Sequence, residues 1–297
     1  MDVSTIQAVP IARRGLSSDL ALAALAPVSW GTTYVVTATL LPPDRPMLAA
    51  TLRALPAGLV LLAATRRLPS GSWWWKAAVL GMLNFGAFFP LLFFAAYRLP
   101  GGVAATIGSV QPLVVALLSV VILRARPARA VLYAALAGTG GVALLTLTAE
   151  ARLDPLGIGA MLVATSLMGA AIVLTKKWGQ PESPLVMSGW QLSIGGLVLA
   201  PLTLATEGLP PAITGQNLLG FAYLGIIGTA VAYALWFRGI DRLAPTSVSL
   251  LGLTNPLVAT LAGLLVLGQT LTGWQIAGFG IALGALVAGQ TLNRKAS

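Results

Sequence analysis

The sequence predicts an all-α integral membrane protein of ten transmembrane helices, arranged as two inverted five-helix repeats. Three observations lead there. Of 297 residues, 57% are hydrophobic and only 9% charged, with a mean hydropathy of +0.88, whereas soluble domains carry about 25% charged residues. Apolar segments of spanning length recur along the chain, separated by clusters of Pro, Gly and charge. Finally, Gly108-Ser109-Val110-Gln111-Pro112-Leu113-Val114 returns at a shift of 144 as Gly252-Leu253-Thr254-Asn255-Pro256-Leu257-Val258. In that ungapped register Arg98-Leu99 falls on Arg242-Leu243, Leu117 on Leu261 and Leu123 on Leu267.

A helix needs about 20 mostly apolar residues to cross the hydrocarbon, and each segment meets that length between recognisable breakers. The first, about 19 to 40, follows Arg13-Arg14 and ends at Pro42-Pro43-Asp44-Arg45-Pro46. The second, 47 to 65, stops at Arg66-Arg67 before Pro69-Ser70-Gly71. The third, 76 to 97, starts behind Trp73-Trp74-Trp75, read with Lys76 as a headgroup-level anchor, and closes at Leu99-Pro100-Gly101-Gly102. The fourth, 102 to 123, holds the first amide-proline pair; the fifth, 128 to 148, precedes Asp154-Pro155. The sixth, 156 to 175, runs into Lys176-Lys177, and the seventh, 185 to 206, lies between Pro181-Glu182-Ser183-Pro184 and Gly208-Leu209-Pro210-Pro211. The eighth, ninth and tenth cover 218 to 237, 246 to 267 and 272 to 292. This divides the chain into a first five-helix repeat (19–148) and a second (156–292). Flanking them are an N-terminal tail (1–18), expected to be retained for want of a small-residue cleavage site, and a C-terminal tail (293–297).

Of the 18 Lys and Arg residues, 14 fall on the side of the two termini, three (Arg45, Arg98, Arg152) on the other, and Arg53 within a span. The positive-inside rule therefore places both termini in the cytoplasm. The net charge of +10 is thereby explained by orientation, and nucleic acid is not expected as a partner. Five crossings per unit force the repeats into opposite orientation. The first two spans of each pair at a shift of 138, with Gly58-Leu59-Val60-Leu61 on Gly196-Leu197-Val198-Leu199 and Gly31 on Gly169. Inverted repeats are a signature of secondary transporters with a substrate site near the midplane. Neither cysteine nor histidine is present, which removes disulfides, Cys or His metal sites, thiol nucleophiles and imidazole bases. No metal, cofactor, catalytic residue or enzymatic activity is expected.

Ten spans in a five-plus-five arrangement, Trp30-Gly31 followed by Tyr34, the polar-Pro elements of spans 4 and 9 and the Leu174-Thr175-Lys176-Lys177 end of span 6 resemble the drug/metabolite transporter superfamily in its EamA-domain branch. The resemblance covers about residues 19 to 292, and the aromatic-rich spans are most similar to bacterial aromatic amino acid exporters. It implies a membrane-embedded exporter of amino acids, other metabolites or drugs. Proton-independent coupling is implied as readily as a pump.

Candidate site residues begin with Gln111 and Asn255, whose amides offer a donor and an acceptor beside the helix-breaking Pro112 and Pro256; the same amides could instead only mend the broken turns. In span 3, Phe85, Phe88 and Phe89 share a helical face beside Asn84, with Phe93 and Phe94 beyond. They could wall a cavity for a flat ring or fill space between helices. Tyr233 stands where the repeat places Phe89, and Trp30, Tyr34, Met168 and Trp190 could add to a central pocket. Arg53 could contact a substrate carboxylate or snorkel outward; its repeat equivalent is Gln191. Gly280 and Gly284, with Gly138, Gly140 and Gly141, read as close helix-packing positions. Every acidic residue falls outside the spans or at their ends, so an intramembrane proton relay is not expected. These features favour a gradient-driven facilitator that exports small amphipathic metabolites, with aromatic or hydrophobic amino acids the expected cargo, by alternating access around a cavity between the repeats. The alternatives are a multidrug or other metabolite exporter and, remotely, a membrane-embedded lipid enzyme. The expected surroundings are the lipid bilayer and a small-molecule substrate, and the expected state a monomer, a dimer remaining open.

Overall fold

A computed structural model describes residues 13–99, 101–125, 127–147, 154–267 and 270–296. Ten helices in it are long and apolar enough to cross a membrane. Spans 1 to 5 are Ser18–Leu40, Pro46–Thr65, Trp73–Arg98, Val103–Leu123 and Arg129–Thr146. Spans 6 to 10 are Pro155–Trp178, Pro184–Thr206, Gly215–Arg242, Pro245–Val266 and Gly273–Leu292. The described residues form no strand, as expected where lipid offers backbone amides no partner. An even number of spans puts their first and last ends on one face, called here the terminal face; the 1–2 loop lies on the distal face. Parts of both expected tails, and Glu150 and Arg152, lie outside the described residues.

Span ends follow local chemistry. Proline opens spans 2, 6, 7 and 9 at the first helical turn, where its missing N–H costs nothing. Asp154 caps span 6 by accepting from the Gly157 amide at 2.9 Å and also pairs with Arg98 at 3.1 Å. That amide, chiefly, holds the Asp154 carboxyl below the ordinary carboxylate range. A carboxylate so depressed contributes stability above its unfolded value and loses it as pH falls through the folded one. Span 8 runs to Arg242, past the expected end at 237, because Arg238 and Arg242 both reach Asp19 of span 1 at 2.8 and 3.4 Å.

The second half repeats the packing of the first. Span 1 lies against spans 8 and 9, and its counterpart span 6 against spans 3 and 4, while spans 2 and 7 pair with each other, as do 5 and 10. Glycine makes these approaches possible. A Cβ on Gly31 would sit 2.7 Å from Val258, and one on Gly169 would sit 3.0 Å from Val114, its equivalent. A Cβ on Gly58 would stand 2.4 Å from the Ser193 nitrogen, and one on Gly196 2.6 Å from Leu55. Between spans 5 and 10 the close contacts are at Gly141 and Gly278. Gly138 is also packed, against Leu253, but Gly140, Gly280 and Gly284 have nothing within 4 Å. The expectation that those three bring helices together is thus corrected: the pattern was right in period, but they face away from the neighbouring span.

Among the described residues three spans contain a π-helical turn, and two of these turns obey the repeat: Met82–Gly86 in span 3 and Ile226–Val231 in span 8, related by the shift of 144. Spans 4 and 9 are broken at equivalent places, after Gly108 and after Leu251. The amide-proline pairs open the second half-helices. The freed Ser109 carbonyl accepts from Thr139 of span 5 at 2.9 Å, as a buried backbone group must. Exposed Val60, Leu117, Val121, Leu197 and Leu265 lie on the outer surface, an apolar girdle suited to lipid.

Gly58→Ala is expected to lower stability by about 1–3 kcal/mol, because backbone cannot yield as a side chain can; Gly280→Ala is expected to be neutral. Thermal unfolding of the two purified variants in detergent checks the pair.

Candidate functional site

Where the two broken helices meet the aromatic spans, a cavity opens in the distal half of the bundle, about 860 Å³ of non-atom space when its opening to solvent is included. Span 1 lines it with Trp30, Thr33, Tyr34 and Thr37, span 2 with Arg53, and span 3 with Phe88, Leu92 and Phe93. Ser109 and Gln111 enter from span 4, Met161, Thr165 and Met168 from span 6, Tyr233 from span 8, and Gly252, Asn255 and Pro256 from span 9. The lining reaches Thr37, Ala96 and Ala105, each within a turn of its distal span end. Towards the terminal face it stops at Gly252, about 10 Å along the helix from Pro245. Beyond, the bundle is closed. Asp19 bonds Arg238 and Arg242, Lys176 donates to the Ile240 and Asp241 carbonyls at 3.2 and 2.8 Å, and Gln180 donates to the Phe237 carbonyl at 2.8 Å.

The cavity wall is aromatic and centred on Tyr233. Its ring lies 4.9 Å from Trp30, 4.6 Å from Phe85, 6.2 Å from Phe89 and 6.0 Å from Phe237, tilted and edge contacts that suit the ring quadrupoles. Trp30 in turn meets Trp236 edge-on at 5.1 Å. Phe85 and Phe89 do share a face, 5.3 Å apart, yet neither lines the cavity. They are fully buried behind Tyr233 and Arg53, and Phe89 carries the Arg53 guanidinium 4.8 Å above its ring.

Arg53 does not snorkel; it is 2% exposed. Its Nε donates to the Thr229 hydroxyl at 2.9 Å and its Nη2 to the Gly228 carbonyl at 3.0 Å. That carbonyl also accepts from the Trp30 indole at 2.9 Å. The reason lies in the π-helical turn of span 8, where shifted backbone pairing exposes carbonyls that a bilayer interior cannot hydrate. Five buried polar atoms of lining side chains have no hydrogen-bond partner: the hydroxyls of Thr33, Thr37 and Thr165, the Asn255 Oδ1 and the Arg53 Nη1. Buried polar atoms are nearly always paired, so these five are the polar points of a largely apolar lining at which a polar group could be met. Gln111 stands across from the break in span 9, its Oε1 3.4 Å from where a Gly252 Cβ would be.

Of the residues expected from sequence, Trp30, Tyr34, Phe88, Met168, Tyr233, Gln111, Asn255, Pro256 and Arg53 converge on this cavity. Phe85 and Phe89 form the layer behind it. Pro112 is buried beside Gln111 but outside the lining. Asn84 turns the other way and donates to Gln191 at 2.8 Å. Trp190 lies near the terminal face, where its indole donates to the Arg67 carbonyl at 2.7 Å and its ring neighbours Trp73. Neither Asn84 nor Trp190 reaches the cavity, which corrects their assignment to a central pocket. Thr33, Thr37, Met161 and Thr165 were missed, although they continue the helical faces of Trp30 and Met168 at spacings of three and four.

A ten-span bundle of two inverted halves around a half-depth cavity is the build of a multi-pass membrane transporter. The EamA-like transporter family matches residues 18–147 and again 155–288. The chain belongs to that family, within the drug/metabolite transporter superfamily. Protein PecM of Dickeya dadantii (strain 3937) is 48% identical over 270 residues, covering 90% of this chain and 91% of that protein. Transporter YwfM of Bacillus subtilis (strain 168) is 27% identical over 250 residues, covering 82% and 83%. A crystal structure with 21% identity matches at a TM-score of 0.79 over 95% of this chain and 99% of its own, which shows the fold.

Asn84→Leu is expected to cost about 1–3 kcal/mol by leaving the buried Gln191 oxygen unpaired. The double variant Asn84→Leu, Gln191→Leu should recover part of that loss. Thermal unfolding of the single and double variants measures both.

Proposed function

We propose that this transporter exports small amphipathic metabolites from the cytoplasm, with aromatic or hydrophobic amino acids as cargo. One observation carries the reading: rings of Trp30, Phe88, Phe93 and Tyr233 face the amides of Gln111 and Asn255 across a single cavity. A flat apolar body packs against the rings. The polar end of an amino acid meets the unpaired Asn255 Oδ1, an acceptor for an ammonium group. Of the two named relatives only YwfM is called a transporter, and neither name gives a substrate.

Transport proceeds by alternating access. With both termini in the cytoplasm of a bacterial inner membrane, as the Lys and Arg distribution favours, the distal face is extracytoplasmic. The cavity then reaches outward, and the Asp19 ion pairs seal the cytoplasmic end. Among the described residues no acidic side chain lines the cavity, which supports a facilitator driven by the substrate gradient. A net-neutral zwitterion moves no charge across the membrane potential.

Proteoliposomes loaded with radiolabelled phenylalanine or tryptophan should release them faster than empty-lipid controls, with no accumulation under an imposed pH gradient. Asn255→Leu should slow release about tenfold, the equivalent of one lost hydrogen bond of about 1.4 kcal/mol, at unchanged folded yield. Movement of other solutes but not of aromatic amino acids would overturn the cargo assignment, and accumulation driven by pH would overturn the facilitator.

A further inference from the structure

The inverted repeat contains its own control for Arg53. Each of the two repeat-related π-helical turns is bonded by a polar side chain from the span that the repeat makes equivalent. On span 8 the brace is Arg53 of span 2, bonded to Gly228 and Thr229. On span 3 it is Gln191 of span 7, bonded to Asn84. Gln191 is the counterpart of Arg53 at the shift of 138, and Asn84 that of Gly228 at the shift of 144. The fold therefore ties both turns to equivalent spans, once through a neutral amide that accepts from the Asn84 side chain and once through a full positive charge that donates to a backbone carbonyl and a hydroxyl. Bracing needs no charge, and a charge inside a membrane is costly.

The protein relieves the cost at Arg53 only in part. Among the described residues its guanidinium is in no ion pair, and no carboxylate lines the cavity it borders. Partial relief comes from the Phe89 ring beneath it. Two of its donor nitrogens are spent on neutral oxygens, and Nη1 is buried with no partner, as is the Nε2 of Gln191, so charge and access, not the unpaired nitrogen, set the two apart. Gln191, the neutral member of the pair, does not line the cavity; Arg53, the charged one, does. The asymmetry in charge thus coincides with the asymmetry in access.

We propose that Arg53 is an anion site that selects cargo bearing a free carboxylate, with the Nη1 hydrogens as its unspent donors. The guanidinium fork matches a carboxylate, and such charge-assisted bonds are roughly twice as strong as neutral ones. This rests on the export reading above and narrows it: the carboxylate seats at Arg53, the apolar body lies along Phe88 and Phe93, and an amide or ester of the same body is refused. The neutral twin also defines the variant that removes charge while keeping a brace, Arg53→Gln.

Isothermal titration of the purified protein in detergent with 3-phenylpropanoate, 3-phenylpropanamide and phenylalanine tests the assignment. The wild type should bind each carboxylate about tenfold or more tightly than the amide. Arg53→Gln should lose that preference, its affinities for carboxylate and amide converging, and Arg53→Lys should retain part of it. Equal wild-type affinity for 3-phenylpropanoate and 3-phenylpropanamide would overturn the anion site and leave the export reading standing, as would an undiminished preference in Arg53→Gln. Failure of all three compounds to bind the wild type would overturn both. Should Arg53→Gln fail to fold, the wild-type comparison and Arg53→Lys decide the matter.

Discussion

A single backbone carbonyl, that of Gly228, ties the functional half of this molecule together. It lies in the π-helical turn of span 8, in a region where lipid and packed side chains supply no water, so polar groups there are paired by the protein. Trp30 of span 1 and Arg53 of span 2 both donate to this carbonyl. These two bonds draw three spans to one point, and the aromatic cluster around Tyr233 assembles on them. An indole held by its N–H cannot rotate freely, so the Trp30 ring becomes a fixed wall of the cavity rather than a mobile filler.

The same constraint explains why the helix breaks lie where they do. A broken helix facing lipid would leave bare carbonyls, whereas one facing a neighbour can borrow donors. Ser109 borrows from Thr139, and Gly252 and Gly31 give the room in which spans 1, 4 and 9 meet. Because the repeats are inverted, the helix breaks exist twice, once nearer each face. In this structure both breaks line the cavity, but the span-end positions beyond them border open space only toward the distal face: Ala96 and Ala105 line it, and their counterparts Ile240 and Ser249 are buried. Thr37 lines the cavity; its counterpart Thr175 is 1% exposed.

Much of this was legible in the sequence, because membrane spans are set by length and hydropathy and their ends by Pro, Gly and charge. The repeated amide-proline pair located both helix breaks, and Trp30, Tyr34, Met168, Tyr233, Gln111, Asn255 and Arg53 all reach the cavity. What escaped depends on local geometry. Helical periodicity grouped Phe85 with Phe88, but periodicity says which residues share a face, not what stands in front of it; Tyr233 and Arg53 occupy that place. Asn84 sits within a π-helical turn, where counting at 3.6 residues per turn misassigns direction. Trp190 was drawn to a pocket by its residue type, whereas a loop carbonyl at Arg67 claims its N–H. Gly280 and Gly284 have the right spacing for packing but no helix opposite. In each case the deciding partner comes from a distant part of the chain.

The central claim is that the two halves exchange roles, so that space now open beside one repeat opens beside the other during transport. Native cysteine is absent from the chain, so single cysteines at Thr37 and at its counterpart Thr175 report on this directly. With a membrane-impermeant thiol reagent, Thr37→Cys should label from the distal face at rest. Thr175→Cys should label from the terminal face only while a substrate gradient drives turnover, as labelling of Thr37→Cys falls. A Thr175→Cys protein that transports at the normal rate yet never labels during turnover would contradict the exchange.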